Sequence, residues 1–119
     1  MVDANGPEDL IIEALPRERA ETYGFFKQQP PHAVVLHKDP VNGFGYVVGV
    51  LKDVFRYRTP KAYWLTLKTQ CAGRSAVWTG TLELAELKAE QVEARGPDPD
   101  RISDGARPLR VSVEPLRRG

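Results

Sequence analysis

The chain has 119 residues, a length that fits a single domain. With 41% apolar and 28% charged residues its composition is globular rather than disordered. Seventeen Lys and Arg oppose sixteen Asp and Glu for a formal charge of +1, which makes no electrostatic case for a nucleic-acid or membrane partner.

Pro7, Pro16, Pro30 and Pro31 punctuate the first 32 residues, which read as a flexible extension. Within it Leu10, Ile11, Ile12 and Leu15 have the spacing of a short amphipathic turn, too short to hold alone because helix nucleation is costly. The folded domain is expected over 33–119. It opens on Ala33-Val34-Val35-Leu36, an apolar run closed by the turn residues Asp39, Pro40, Asn42 and Gly43, which predicts a buried strand. Val47, Val48, Leu51, Val54 and Phe55 then recur at i, i+1, i+4, i+7 and i+8, one face of a first helix. Thr59-Pro60 predicts the start of a second, with Thr59 as cap and proline where no N–H is needed. That helix runs to about Gln70, with Ala62, Leu65, Thr66 and Thr69 inward, before Gly73 breaks the chain. A strand follows over 74–79. Thr81 is placed to cap a third helix, whose inner stripe is Leu84, Ala85, Ala89 and Val92, with Glu83 and Glu86 near its positive end. The polar stretch 96–107 reads as a loop. Leu109, Val111 and Val113 alternate with Arg110, Ser112 and Glu114, a period of two that predicts the last strand. The order β-α-α-β-α-β predicts an α+β fold, a small sandwich of three helices on a three-stranded antiparallel sheet.

These residues resemble the ClpS family, adaptors of the bacterial Clp protease. The family's opening strand is matched by Val34-Val35-Leu36 and its Asn-Asp-Asp loop by Lys38-Asp39-Pro40. Its first helix corresponds to Tyr46-Val47-Val48-Gly49-Val50-Leu51-Lys52-Asp53-Val54-Phe55. Its third helix, T-A-E-V-A-E-x-K, is matched by Thr81-Leu82-Glu83-Leu84-Ala85-Glu86-Leu87-Lys88, the most specific part of the likeness. Arg107-Pro108-Leu109, on to Glu114, matches the closing strand, and 96–105 reads as an insertion.

The resemblance implies an adaptor that catalyses nothing and needs no cofactor. One face docks on the N-terminal domain of a Clp ATPase unfoldase, and the other holds the bulky first residue of a substrate, an N-degron. Thr81, Glu83 and Lys88 correspond to the docking positions, and the spacing sets Lys88 on the outer surface with the helix's acids. The cargo positions correspond to Lys38, Asp39, Asn42, Phe44, Thr66, Thr69, Gln70 and Leu109. Of the three groups that hold the cargo's α-amino group in the family, Asp39 alone is retained; Lys38 stands for an Asn and Gln70 for a His. An α-amino group has a pKa of about 7.7–8.0 and is a cation at neutral pH. Asp39 supplies a counter-charge and the Gln70 oxygen an acceptor. Lys38 opposes them. Two like charges about 4 Å apart at an effective dielectric of ~20 cost on the order of 4 kcal/mol, roughly three decades of affinity. The lysine escapes by reaching into water or by pairing with Asp39, which would consume the cargo's carboxylate. Phe44 and Thr66 stand where the family has Met, and Thr66 is expected to make one wall more polar.

A second reading is a ClpS-fold interaction module, or Clp regulator, that has lost recognition of N-terminal residues. Other classes find little support. The single Cys71 excludes an internal disulfide and suits a reducing compartment. His32, His37 and Cys71 form no local pattern for nucleophilic catalysis and match no standard metal spacing. Lys38, Arg56, Arg58, Lys61 and Lys68 interleave with Tyr57, Tyr63 and Trp64, but the neutral overall charge speaks against nucleic acid, and the aromatics are expected to pack at the core and its rim. No apolar run approaches the roughly 18–20 residues that cross a bilayer. The acidic start (Asp3, Glu8, Asp9) lacks the basic region of a signal peptide, so the expected location is the cytoplasm.

Overall fold

The structure, a computed structural model, describes residues 30–116. The expected extension falls almost wholly on 1–29, outside the described residues. In chain order the elements are β1 (His32–His37), α1 (Phe44–Phe55), α2 (Thr59–Ala72), β2 (Arg74–Gly80), α3 (Leu82–Ala94), a 3-10 helix (Pro99–Asp104) and β3 (Val111–Pro115). The strands form one antiparallel sheet in the order β2-β1-β3, the expected α+β arrangement with the 3-10 helix added in the insertion.

β1 is central because it is apolar on both faces: Ala33, Val34, Val35 and Leu36 are all buried. Val34 and Leu36 join the core beneath the helices. On β2 the register against β1 slips between Val34 and Val35, where Trp78 and Ala76 are successive partners. This bulge leaves Val77 unpaired and lets two consecutive residues, Val77 and Trp78, both enter the core. Gly80 completes the arrangement, since a Cβ there would lie 2.3 Å from the Trp78 ring. The opposite face carries a polar chain across all three strands. His37 Nε2 lies 2.8 Å from Ser112 Oγ, Ser112 donates to Glu114 at 2.9 Å, and Arg74 pairs with Glu114. The carboxylate here accepts from the serine instead of orienting the imidazole, which is not the geometry of a nucleophile triad.

The helices differ from expectation at their ends. α1 starts at Phe44, two residues before the matched segment Tyr46 to Phe55, and its buried stripe is Val47, Val50, Leu51, Val54 and Phe55, with Val48 only partly covered. Its N-cap, Gly43, offers no side chain; the Gly43 N–H instead donates to Asp98 Oδ2 at 3.1 Å. The cap of α2 is Arg58 and not Thr59, and no side chain bonds there; Pro60 within the first turn removes one donor that would need a partner. Gly73 closes α2 at φ 89°, a left-handed position that only glycine takes without strain. Thr81 caps α3 as expected, accepting from Leu84 N at 3.3 Å, and Ala85, Ala89 and Val92 are buried. Leu109 is buried at 2% exposure but precedes β3. Of the aromatics interleaved with basic residues, Tyr57 stacks on Phe55 with centroids 5.5 Å apart, whereas Tyr63 and Trp64 are 53% and 59% exposed, more open than the packing expected for them.

Candidate functional site

Where the end of β1, the start of α1 and the last turn of α2 meet, they enclose a small cavity. Its walls are Leu36, Val47, Thr66, Thr69 and Leu109, with His37, Asp39 and Gln70 as the polar lining. Its volume is about 10 Å³, room for the centre of a single water. Thr66 and Thr69 are hydroxyl-bearing walls, yet each hydroxyl donates back along α2, to Ala62 O and Leu65 O, both at 2.8 Å. The Thr69 Oγ1 also lies 2.6 Å from Ser75 Oγ. The Thr66 hydroxyl thus spends its one donor within α2, and its oxygen keeps acceptor capacity.

Asp39 is held in a tight turn. Its Oδ1 accepts from the N–H groups of Val41 and Asn42, each at 2.8 Å, and its Oδ2 accepts from Asn42 Nδ2 at 2.6 Å. A carboxylate has roughly four acceptor positions, so at least one remains for a further donor. Partial burial pushes its pKa up, but the Asn42 and Val41 N–H groups, the Asn42 amide and the nearby Arg110 charge outweigh that and hold it below 3.8. Asp39 is an anion at neutral pH. Gln70 lines the same cavity, half-buried, and its amide makes no hydrogen bond among the described residues.

Asn42 is 5% exposed and does not line the cavity. It is the hub that fixes Asp39. Besides its bond to Asp39, Nδ2 donates to Arg107 O at 2.7 Å, and Oδ1 accepts from Asp98 N at 2.8 Å. Asp98, itself buried, accepts from Asp100 N at 2.9 Å as well as from Gly43 N. The insertion thus braces both the Asp39 turn and the N-terminus of α1.

Two further expected cargo residues, besides Asn42, stand apart from the cavity. Lys38 is exposed, with its backbone N–H on Gly73 O at 2.8 Å, and makes no ion pair among the described residues. Of the two escapes open to it, the one toward solvent is taken, and the Asp39 carboxylate is not consumed. Phe44 packs edge-on against Tyr63, 4.9 Å between centroids, and is not part of the lining.

The outer side of α3 brings together part of the expected docking set. Glu83 is exposed, with Leu82 and Leu87 also exposed on the helix. The Thr81 hydroxyl is engaged as a cap. Lys88 departs from expectation: its Nζ donates to Val54 O at 3.0 Å, closing the C-terminal end of α1, where a cation complements the helix dipole. Five residues on from Glu83, it lies about 140° around the helix, toward α1 rather than on Glu83's flank. Desolvation, aided by the Arg56 charge, lowers the Lys88 pKa.

A family model described as ATP-dependent Clp protease adaptor protein ClpS matches residues 27–112. The chain belongs to the ClpS family. An adapter protein ClpS of Myxococcus xanthus is 31% identical over 106 residues, covering 89% of this chain and 88% of that one. A ClpS of Desulfatibacillum aliphaticivorans is 33% identical over 107 residues, covering 90% and 89%. The structure of Agrobacterium tumefaciens ClpS2 bound to L-phenylalaninamide shares the fold, with a TM-score of 0.63 and 24% identity over 74% of this chain and 99% of that one. The chain is thus a Clp protease adaptor by family. Among its described residues no group of three His, Cys, Asp or Glu is placed to hold a metal, and no helix is long and apolar enough to cross a membrane.

In this ClpS-family chain the sequence pattern missed several participants. Leu36, His37 and Val47 line the cavity, but Leu36 and Val47 read only as strand and helix residues and His37 as a residue flanking the first strand. Arg110 reads as the outward member of an alternating strand, yet its charge acts on Asp39. Asp98 reads as loop punctuation between Pro97 and Pro99, yet it is a buried brace.

Proposed function

We propose that this adaptor docks on the N-terminal domain of a Clp ATPase unfoldase and delivers substrates by holding a bulky N-terminal residue. The observation that carries the reading is Asp39: an ionised carboxylate at an apolar cavity, held by three hydrogen bonds, with acceptor capacity to spare and no lysine paired to it. A protonated α-amino group is the complementary donor, and Gln70 is placed beside it to accept a second bond. The relative from Agrobacterium tumefaciens is bound to L-phenylalaninamide, a molecule with a free α-amino group next to a benzyl side chain. A cavity of about 10 Å³ has to widen to take such a side chain, so binding of a first Leu, Phe, Tyr or Trp involves parting of α1, α2 and Leu109. Adaptor action is then a matter of local concentration at the unfoldase, with no bond made or broken by this chain. Glu83 belongs to the docking face in this reading, Lys88 braces α1 beside it, and the extension before β1 forms the delivery tether. The exposed free thiol of Cys71 suits work in the cytoplasm.

The small volume of the cavity also favours a second reading, a ClpS-fold regulator that docks on the unfoldase without holding a first residue. Calorimetric titration with short peptides differing only in their first residue separates the two. The first reading expects binding by Leu, Phe, Tyr or Trp peptides over Ala or Glu peptides; the regulator binds none at millimolar concentration.

A further inference from the structure

Beside the small cavity lies an open groove of about 690 Å³. The two share His37 and Leu109, so the groove continues outward from the place where the amine is held. A peptide advances about 3.3–3.6 Å per extended residue, and a groove of this volume takes the few residues that follow the first. Its charged lining consists of Arg107, Arg110 and Glu93. Both arginines are exposed, and neither forms a salt bridge among the described residues. The exposed ammonium of Lys38, between His37 and Asp39 in the chain, adds a further positive charge at the same end of β1. Lys38, Arg107 and Arg110 thus bring three cations to this side of the cavity against the one groove carboxylate, Glu93.

We propose that this groove selects among substrates by the residues following the first, favouring Asp or Glu at the second and third positions over neutral or basic residues. The inference deepens the amine-site reading and rests on it. The guanidinium fork suits the task, because it pairs with a carboxylate through two parallel hydrogen bonds, which an ammonium does not. Lys38 takes on a role here that its position beside Asp39 does not suggest: a cation that would repel the amine inside the cavity attracts carboxylates once it stands outside. Glu93 favours basic residues less than the arginines favour acidic ones, and its removal should sharpen the preference. Exposed pairs are individually weak, so two of them are worth on the order of tenfold in affinity, screened away as salt rises.

The test is fluorescence anisotropy on the full chain with three labelled peptides, beginning Phe-Ala-Ala, Phe-Asp-Asp and Phe-Lys-Lys. The proposal expects Phe-Asp-Asp to bind roughly tenfold more tightly than Phe-Ala-Ala at low salt, and Phe-Lys-Lys more weakly. The advantage should disappear at about 0.5 M salt. It should also disappear in the Arg107→Ser, Arg110→Ser double variant and grow in Glu93→Gln, two changes with opposite signs that a general loss of folding would not produce. If Phe-Ala-Ala binds and Phe-Asp-Asp binds no better, the groove inference is overturned and the amine site stands. If no peptide binds, the amine site falls and the groove inference falls with it.

Discussion

Asp39 and Lys38 are adjacent in sequence, and the structure separates their roles. In the sequence Lys38 threatens the site by like-charge repulsion of roughly 4 kcal/mol. In the structure it is exposed and does not line the cavity, and the charge that acts on Asp39 belongs to Arg110. Replacing Lys38 with Asn is therefore expected to strengthen binding of a Phe-first peptide by less than about tenfold, far short of three decades, when measured by calorimetry. Asn42 is the more vulnerable residue. Asn42→Ala removes donors to Asp39 and Arg107 and the acceptor for Asp98 N, leaving buried polar groups without partners. At about 1–3 kcal/mol for a stranded buried group, the variant is expected to lose at least 2 kcal/mol, read as a lower urea midpoint at unchanged slope. Its peptide affinity should fall too, because the Asp39 turn loses its brace.

Among the elements, α3 shows how a docking surface and a structural brace share one helix. Lys88 reaches across to the end of α1, so a charge reversal there acts on folding before it acts on any partner. Lys88→Glu loses the bond to Val54 O and sets a negative charge at the negative end of α1. It should cost about 1 kcal/mol and lower the melting temperature by roughly 4–8 °C. Glu83 has no such tie, and Glu83→Lys should weaken binding to the unfoldase N-terminal domain with the melting temperature unchanged. If surface-captured N-domain bound Glu83→Lys as tightly as the parent chain, Glu83 would have no part in docking. The local signals in α3 were legible in the sequence: the Thr81 cap, the Glu83 first turn and the Ala85, Ala89, Val92 stripe are all short-range patterns. The direction of Lys88 was not, because it is decided by where α1 ends, 34 residues earlier in the chain.

At the scale of the whole molecule the β-α-α-β-α-β succession follows from periodicity and turn residues, so the fold class is legible in the sequence, whereas the sheet order β2-β1-β3 comes from the structure. The site could be read only in part. Asp39, Thr66, Thr69, Gln70 and Leu109 do meet at one cavity. What escaped are contacts between residues far apart in the chain, such as Asn42 with Asp98 and Arg107, at separations of 56 and 65 residues. The stretch over 96–105 reads in the sequence only as an insertion, with no role attached. It brings a buried carboxylate to the N-terminus of α1 and a partner to the hub behind Asp39, so the site is assembled from both ends of the domain.

The central claim is that Asp39 holds a protonated α-amino group at the mouth of the cavity. The most direct test is calorimetric titration of the full chain with a Phe-first peptide across pH, beside its N-acetylated form and the Asp39→Ala variant. The account predicts saturable binding at pH 7 that acetylation and Asp39→Ala both abolish. Binding should fade as pH rises through about 7.7–8.0, where the amine loses its proton. On the acid side it should persist through the range where an ordinary aspartate protonates and be lost only below it, since the Asp39 pKa is held under its usual value. Absence of binding at millimolar peptide, or binding that survives Asp39→Ala unchanged, would contradict it.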